Sequence, residues 1–150
     1  MEHVRFDIEG ALPLARQLWQ FADRLNDVRN RRDDLARLAL RDWQGRHGTT
    51  FRDWNDQEHE QLKLVIVKLR QAALAWARAW ATAVNKQRDL DHDAAWKQWV
   101  ADTARDALAN PLPLPGGALV TGVVAVATRP RPQRTPHVDT PSIPHFRDTR

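Results

Sequence analysis

The chain of 150 residues contains no cysteine. It therefore has no disulfide frame, no thiolate metal site and no cysteine nucleophile. Its single serine, Ser142, lies in a proline-rich stretch that offers no setting for a serine hydrolase. Tyrosine is absent too. Glycine is scarce where it matters: between Gly10 and Gly116 there are only Gly45 and Gly48. Eight of the nine prolines lie at or beyond Pro111, and the other is Pro13. The longest apolar run, Gly116 to Ala127, falls short of the roughly 20 residues that span a bilayer. The first ten residues show no basic start followed by an apolar run. The expectation is a protein that is soluble, or that leaves the cell by a route needing no cleaved leader. No metal set or phosphate loop accompanies these absences, so the sequence reads as a non-enzyme without a cofactor.

The charge balance excludes less than it first suggests. The formal net charge is +4. Residues 1–110 carry 18 basic and 17 acidic side chains, whereas residues 111–150 carry five and two. A helical nucleic-acid binder concentrates positive charge on its folded part, and here the excess sits in the tail. A nucleic-acid-binding or regulatory role is thus the alternative reading, and it requires salt-sensitive binding.

What is present is helix-forming composition. From Leu14 the apolar positions run Leu14, Leu18, Phe21, Leu25, Val28, Arg32, Leu35 and Ala39, with spacings that alternate four and three. This seam, interrupted once by Arg32, predicts a helix of about 30 residues lying along a partner helix. A second run reads Phe51, Trp54, Leu62, Val65, Leu69, Ala72, Trp76, Trp80 and Ala83, widened by Ile66 and Ala73. Gly45 and Gly48 stop the first helix, and Thr49 or Thr50 is placed to cap the second. Thr50 with Asp53 approximates a capping box. A third helix begins at Asp91 or Asp93 as N-cap, carries Trp96, Val100, Ala104, Ala107 and Leu108, and ends at Asn110-Pro111; the alternative is that helix two simply continues. The fold class is all-α: a long antiparallel helical hairpin over 8–110 with this third C-terminal helix, followed by a proline-rich, mostly irregular tail, 111–150. Within the tail, 117–128 reads as a short strand that has to pair or dock. From Arg129 onward the composition reads as unstructured, with Arg129, Arg131 and Arg134 alternating with prolines as in a solvated linker or a weak contact to an acidic surface.

Several smaller patterns point to chemistry and then fail. Asp89, Asp91 and Asp93 open like a calcium loop, but Ala94 and Val100 stand where glycine and glutamate are needed, which leaves helix capping as their role. His59-Glu60 opens like a zincin motif, but Lys63 occupies the second histidine position. Arg29, Arg31 and Arg32 precede Asp33 and Asp34 and read as a solvated face with local ion pairs; Arg32, being on the seam, could instead pair across a dimer and fix its register. The seven tryptophans are read as core or as an intermolecular seam, and the two readings merge in an obligate dimer. Base stacking would need basic residues interleaved with exposed rings, as Arg78 is between Trp76 and Trp80.

The most informative feature is Trp43-Gln44-Gly45 at the one turn between two long amphipathic helices, with Phe51 opening the second. Gly45 permits the reversal, and the Trp43 indole can brace it. On this motif the sequence resembles the WXG family, the small early-secreted-antigen-like substrates of type VII (ESX) secretion in actinobacteria and other Gram-positive bacteria. The resemblance covers about residues 8–88. It implies a helix-turn-helix hairpin that pairs antiparallel with a second hairpin in a four-helix bundle and is exported as a folded dimer. Trp43 and Gly45 would take the motif's turn and recognition role. The family's export signal, Tyr-x-x-x-Asp/Glu, is absent for want of a tyrosine, which leaves that signal to a partner chain. The expected function is that of a non-catalytic secretion substrate or accessory or chaperone partner. Its partner would be a second copy or another hairpin protein, including a larger co-encoded effector. The expected interface is Leu18, Phe21, Leu25, Val28, Arg32 and Leu35 on helix one with Trp54, Leu62, Val65, Leu69, Trp76 and Trp80 on helix two.

Overall fold

A computed structural model describes residues 5–109, 112–113, 119–120 and 129–143. Two long helices account for most of it: α1, Ile8–Asp42, and α2, Arg46–Ala109. Helix α1 starts where Asp7 can cap it. The Asp7 carboxylate accepts a hydrogen bond from the Gly10 amide at 2.8 Å, and its carbonyl accepts from the Ala11 amide at 3.1 Å. The first of these satisfies one of the four orphan amides of the first turn, and the second is the first regular bond of the helix. Two short strands follow the helices, β1, Leu112–Pro113, and β2, Leu119–Val120, antiparallel with Leu112 opposite Val120 and Pro113 opposite Leu119. Of the stretch 117–128 expected as a strand, only Leu119–Val120 is among the described residues, and the rest lies outside them.

Helix α2 corrects two expectations. It runs without a break through Asp91 and Asp93, so a separate third helix is not formed and the continuation of helix two is what the chain adopts. Nothing from Asn85 to Asp93 breaks a helix, and residues with adequate helix propensity extend one rather than restart it. It also begins at Arg46, before either threonine expected to cap it. Thr49 and Thr50 sit inside the first turn, where their hydroxyls donate back to the carbonyls of Gly45 and Arg46 at 3.3 and 3.0 Å.

The chain divides into two compact units, one of Asp7–Ala81 with Thr140–Arg150, the other of Met1–Phe6 with Thr82–Asp139. In the first, α1 packs antiparallel against the N-terminal part of α2. Asp23 meets Arg70 at 3.0 Å, Arg70 lies over the Trp19 ring at 5.4 Å, and Arg32 pairs with Glu58. As the pairs move back along α1, from Arg32 to Asp23, they move forward along α2, from Glu58 to Arg70. That is the register of a tight hairpin.

The seam of this hairpin is lined by alanine. Ala11, Ala15, Ala22 and Ala36 are buried on α1, and Ile66, Ala73, Ala77 and Ala81 on α2. Ala15, Ala73 and Ala77 form one cluster with Ile143, flanked by Leu18, Trp19 and Leu74. The large residues expected in the seam point elsewhere: Phe21 is 52% exposed, Val28 55% and Leu35 66%. Helix α1 is turned by one residue, about 100° in an α-helix, from the orientation its larger side chains predict. Small side chains let two backbones come close, and that close fit leaves the bulky face outside. No large side chain is completely buried among the described residues. Such tight packing leaves no room for extra methylenes. Ala73→Leu is therefore expected to destabilise the hairpin by about 1–3 kcal/mol, read as a lower urea midpoint; an unchanged midpoint would show that the seam is looser than described.

Candidate functional site

The turn is built by three residues. Helix α1 ends at Asp42, Trp43 adopts an extended conformation as its C-cap, and Gly45 takes φ of +90° before α2 begins. A side chain at Gly45 would force a strained backbone, although the space around it is open. Gly48 is needed for a different reason. A Cβ there would stand 2.5 Å from the Trp43 carbonyl oxygen, so the first turn of α2 packs directly against the end of α1. Trp43-x-Gly45 was legible as a motif. Gly48 was legible only as a second helix stop, and its close approach to Trp43 is a tertiary fact that spacing does not carry.

Aromatic rings continue from the turn up the hairpin. Trp43 meets Phe51 with ring centroids 5.4 Å apart and planes at 55°, and Phe51 meets Trp54 at 6.1 Å. The Arg32 guanidinium lies over the Trp54 ring at 4.9 Å while also pairing with Glu58. Both of these Arg32 contacts are made to α2 of the same chain. Arg29, Arg32, Asp33, Asn55, His59 and Leu62 close around one small gap there, where the apolar seam is interrupted. Trp43 and Trp54 each keep about half of their surface exposed. The cluster can thus brace the turn and still present indole to a partner.

The other expected interface residues divide by face. Phe21, Val28, Leu35, Trp54, Val65 and Trp76 are exposed, whereas Leu18, Leu25, Leu62, Leu69 and Trp80 are half-buried at the edges of the alanine seam. On α1 the exposed set with Leu14 recurs every seventh residue, Leu14, Phe21, Val28 and Leu35, which draws one continuous stripe along the helix.

A second constellation lies in the other unit, where the weak contact to an acidic surface expected of the tail arginines is made by Arg129 and Arg134 against α2, while the backbone docking beside it was not foreseen. Residues 129–143, expected to be unstructured, carry no long element of secondary structure, but 129–139 are held along α2. The Asn85 amide donates to the Val138 carbonyl at 2.9 Å and accepts from the Val138 amide at 2.7 Å. Arg88 donates to the Pro136 carbonyl. Asp89 accepts from Arg134 at 2.7 Å and contacts the His137 ring nitrogen at 3.0 Å. Arg129 bridges Asp102 at 3.2 Å and Asp106 at 3.4 Å. Asp89 and Asp91 are thus mid-helix, not caps; Asp91 accepts from Gln87 one turn earlier at 2.8 Å. The available signal was the alternation of arginine and proline facing a helix with acids one turn apart. Further along α2, His92, Trp96 and Trp99 stack in sequence, the two indoles 5.1 Å apart.

The contacts of Asp89 with His137 and then with Arg134 hold its carboxyl below its ordinary value of 3.8. A carboxylate whose pKa is lowered by its partners stabilises the docked form above the ordinary value, and that stabilisation is lost as pH falls through the lowered one.

Comparison of the chain with protein-family models, with curated proteins and with solved structures finds no match. No described helix is long and apolar enough to cross a membrane.

Two outcomes follow from this geometry. Gly45→Ala and Gly48→Ala should each destabilise the turn by about 1–3 kcal/mol, the first by backbone strain and the second by overpacking, with helix content by circular dichroism nearly unchanged below the transition. The Val138 amide should stay protected from hydrogen exchange above pH 3.8 and lose protection as pH drops further and Asp89 is protonated; protection independent of pH would remove Asp89 from the docking.

Proposed function

We propose that the chain is a non-catalytic partner protein that dimerises through the outer face of its hairpin, as a type VII secretion substrate or an accessory or chaperone subunit of one. The observation that carries this reading is the stripe Leu14, Phe21, Val28 and Leu35, apolar at heptad spacing and exposed along α1. Burying such side chains is worth about 1.5–3 kcal/mol each, and a hairpin whose own seam is mostly alanine gains little of that internally. A stripe of this kind is the ordinary means by which one hairpin joins another into a four-helix bundle. On α2, Trp54, Val65 and Trp76 are exposed as well, and the two indoles are of the kind usual as anchors at interface centres. The Trp43-x-Gly45 turn, with Phe51 against the indole, supports the resemblance to the WXG family. The partner is a second hairpin, of the same chain or of a larger co-encoded effector, and the missing tyrosine signal leaves the export address to that partner.

Absolute mass by light scattering tests this at low and high salt. A dimer insensitive to salt and free of nucleic acid is expected, and Phe21→Asp should convert it to a monomer of unchanged helicity, because the charge would be buried in the joint. A helical protein whose mass is the same with and without the substitution would refute pairing through this face.

A further inference from the structure

The docking of 129–139 on α2 has the form of peptide recognition. Asn85 reads the backbone of one residue through a paired donor and acceptor at Val138, independent of its side chain. Arg88 takes a second backbone carbonyl, at Pro136. Side-chain selectivity comes from carboxylates: Asp89 holds Arg134 and His137, and Asp102 with Asp106, one turn apart, straddle Arg129. The spacing is consistent with a fully extended ligand. From Asn85 to Asp102 an α-helix rises about 26 Å, and from Arg129 to Val138 a polyproline-like chain covers about 28 Å. Pro130, Pro132 and Pro136 hold the segment extended before it docks, so little conformational entropy is lost.

The hold is modest. Arg134 is 64% exposed and His137 51%, so their pairing with Asp89 is screened by solvent. What keeps the segment in place is largely its covalent tether to α2, since tethering sets an effective concentration on the order of 1 mM. A site that reads backbone and cationic side chains of an extended segment, occupied by a weakly held tethered copy, is open to exchange.

We propose that the Asn85–Asp106 face of α2 is a binding site for an extended, arginine- and proline-bearing segment of a partner protein, and that residues 129–139 occupy it in cis as a competing strap. The site lies within the second unit and does not depend on pairing through the hairpin. A partner segment offering arginine, a second arginine five residues on and a backbone fixed by proline displaces the strap, and the strap sets the affinity the partner must exceed.

The test uses the full chain and a fluorescent peptide with the sequence of 129–139, read by anisotropy. The intact chain should bind it weakly. The chain carrying Arg129→Ala, Arg134→Ala and His137→Ala, which weakens the strap and leaves the face intact, should bind it at least tenfold more tightly. Adding Asn85→Ala and Asp89→Asn to that chain should remove the gain. Equal affinity for the intact and strap-weakened chains, or equal binding of a scrambled peptide, would overturn the proposal. Should the substituted chain lose helicity, the unaltered protein suffices: excess unlabelled peptide should speed hydrogen exchange at the chain's own Val138 amide at least tenfold, and an unchanged rate would equally overturn it.

Discussion

The close approach of α1 and α2 along an alanine-lined seam decides which surfaces this protein has left to use. Two helices that meet through Ala15, Ala73 and Ala77 leave their bulky side chains outside. The stripe from Leu14 to Leu35 is outside because of that choice, and so is much of Trp54 and Trp76. The hairpin's own apolar gain is correspondingly small, since burying a methyl is worth much less than burying a leucine or an indole. Polar pairs hold the register instead. Asp23 with Arg70 and Arg32 with Glu58 are cross-helix pairs that only one alignment satisfies, and Arg32 and Arg70 also lie over tryptophan rings.

The same constraint explains what could be read from the residues alone and what could not. Two long helices and a single turn were legible, because glycine and proline are nearly absent from the helical stretch and Gly45 and Gly48 stand together in the middle of it. The turn aromatics were legible from Trp43-x-Gly45 and Phe51. The inner face was not. Two heptad-like series run down α1 one residue apart, one through Leu14, Phe21, Val28 and Leu35, the other through Ala15, Ala22 and Ala36, and hydrophobicity favours the first. Only the packing of α2 selects the second, because it rewards small side chains rather than apolar ones. Leu18 and Leu25 belong to the margin of both, which is why they are half-buried.

Two further misreadings share one physical origin, the competition between local preference and continuity. Asp91 and Asp93 favour a helix start in isolation, yet a helix already formed extends through them at little cost, since each added residue needs no new nucleus. Thr49 and Thr50 are good caps, yet the reversal at Gly45 is complete before them, and their hydroxyls turn inward to carbonyls of the first turn. In both cases the residue kept its hydrogen-bonding habit and changed its partner.

The tail shows the opposite case, where composition is read correctly and, of the conclusions drawn from it, the contact to an acidic surface holds while the lack of structure does not. Proline and arginine do prevent residues 129–139 from forming a helix or a broad sheet. They do not prevent docking, because a chain already extended by proline loses little freedom when it lies down, and a helix is a ready support if its side chains supply the missing hydrogen bonds. Asn85 supplies both a donor and an acceptor to Val138, and the acids along α2 supply charge of the sign that the arginines lack. Continuity of α2 past Asp93 is the precondition. Had the chain broken there and begun a new helix, Asp89 and Asp102 would have stood on separate elements, and no single extended segment could have reached both in step.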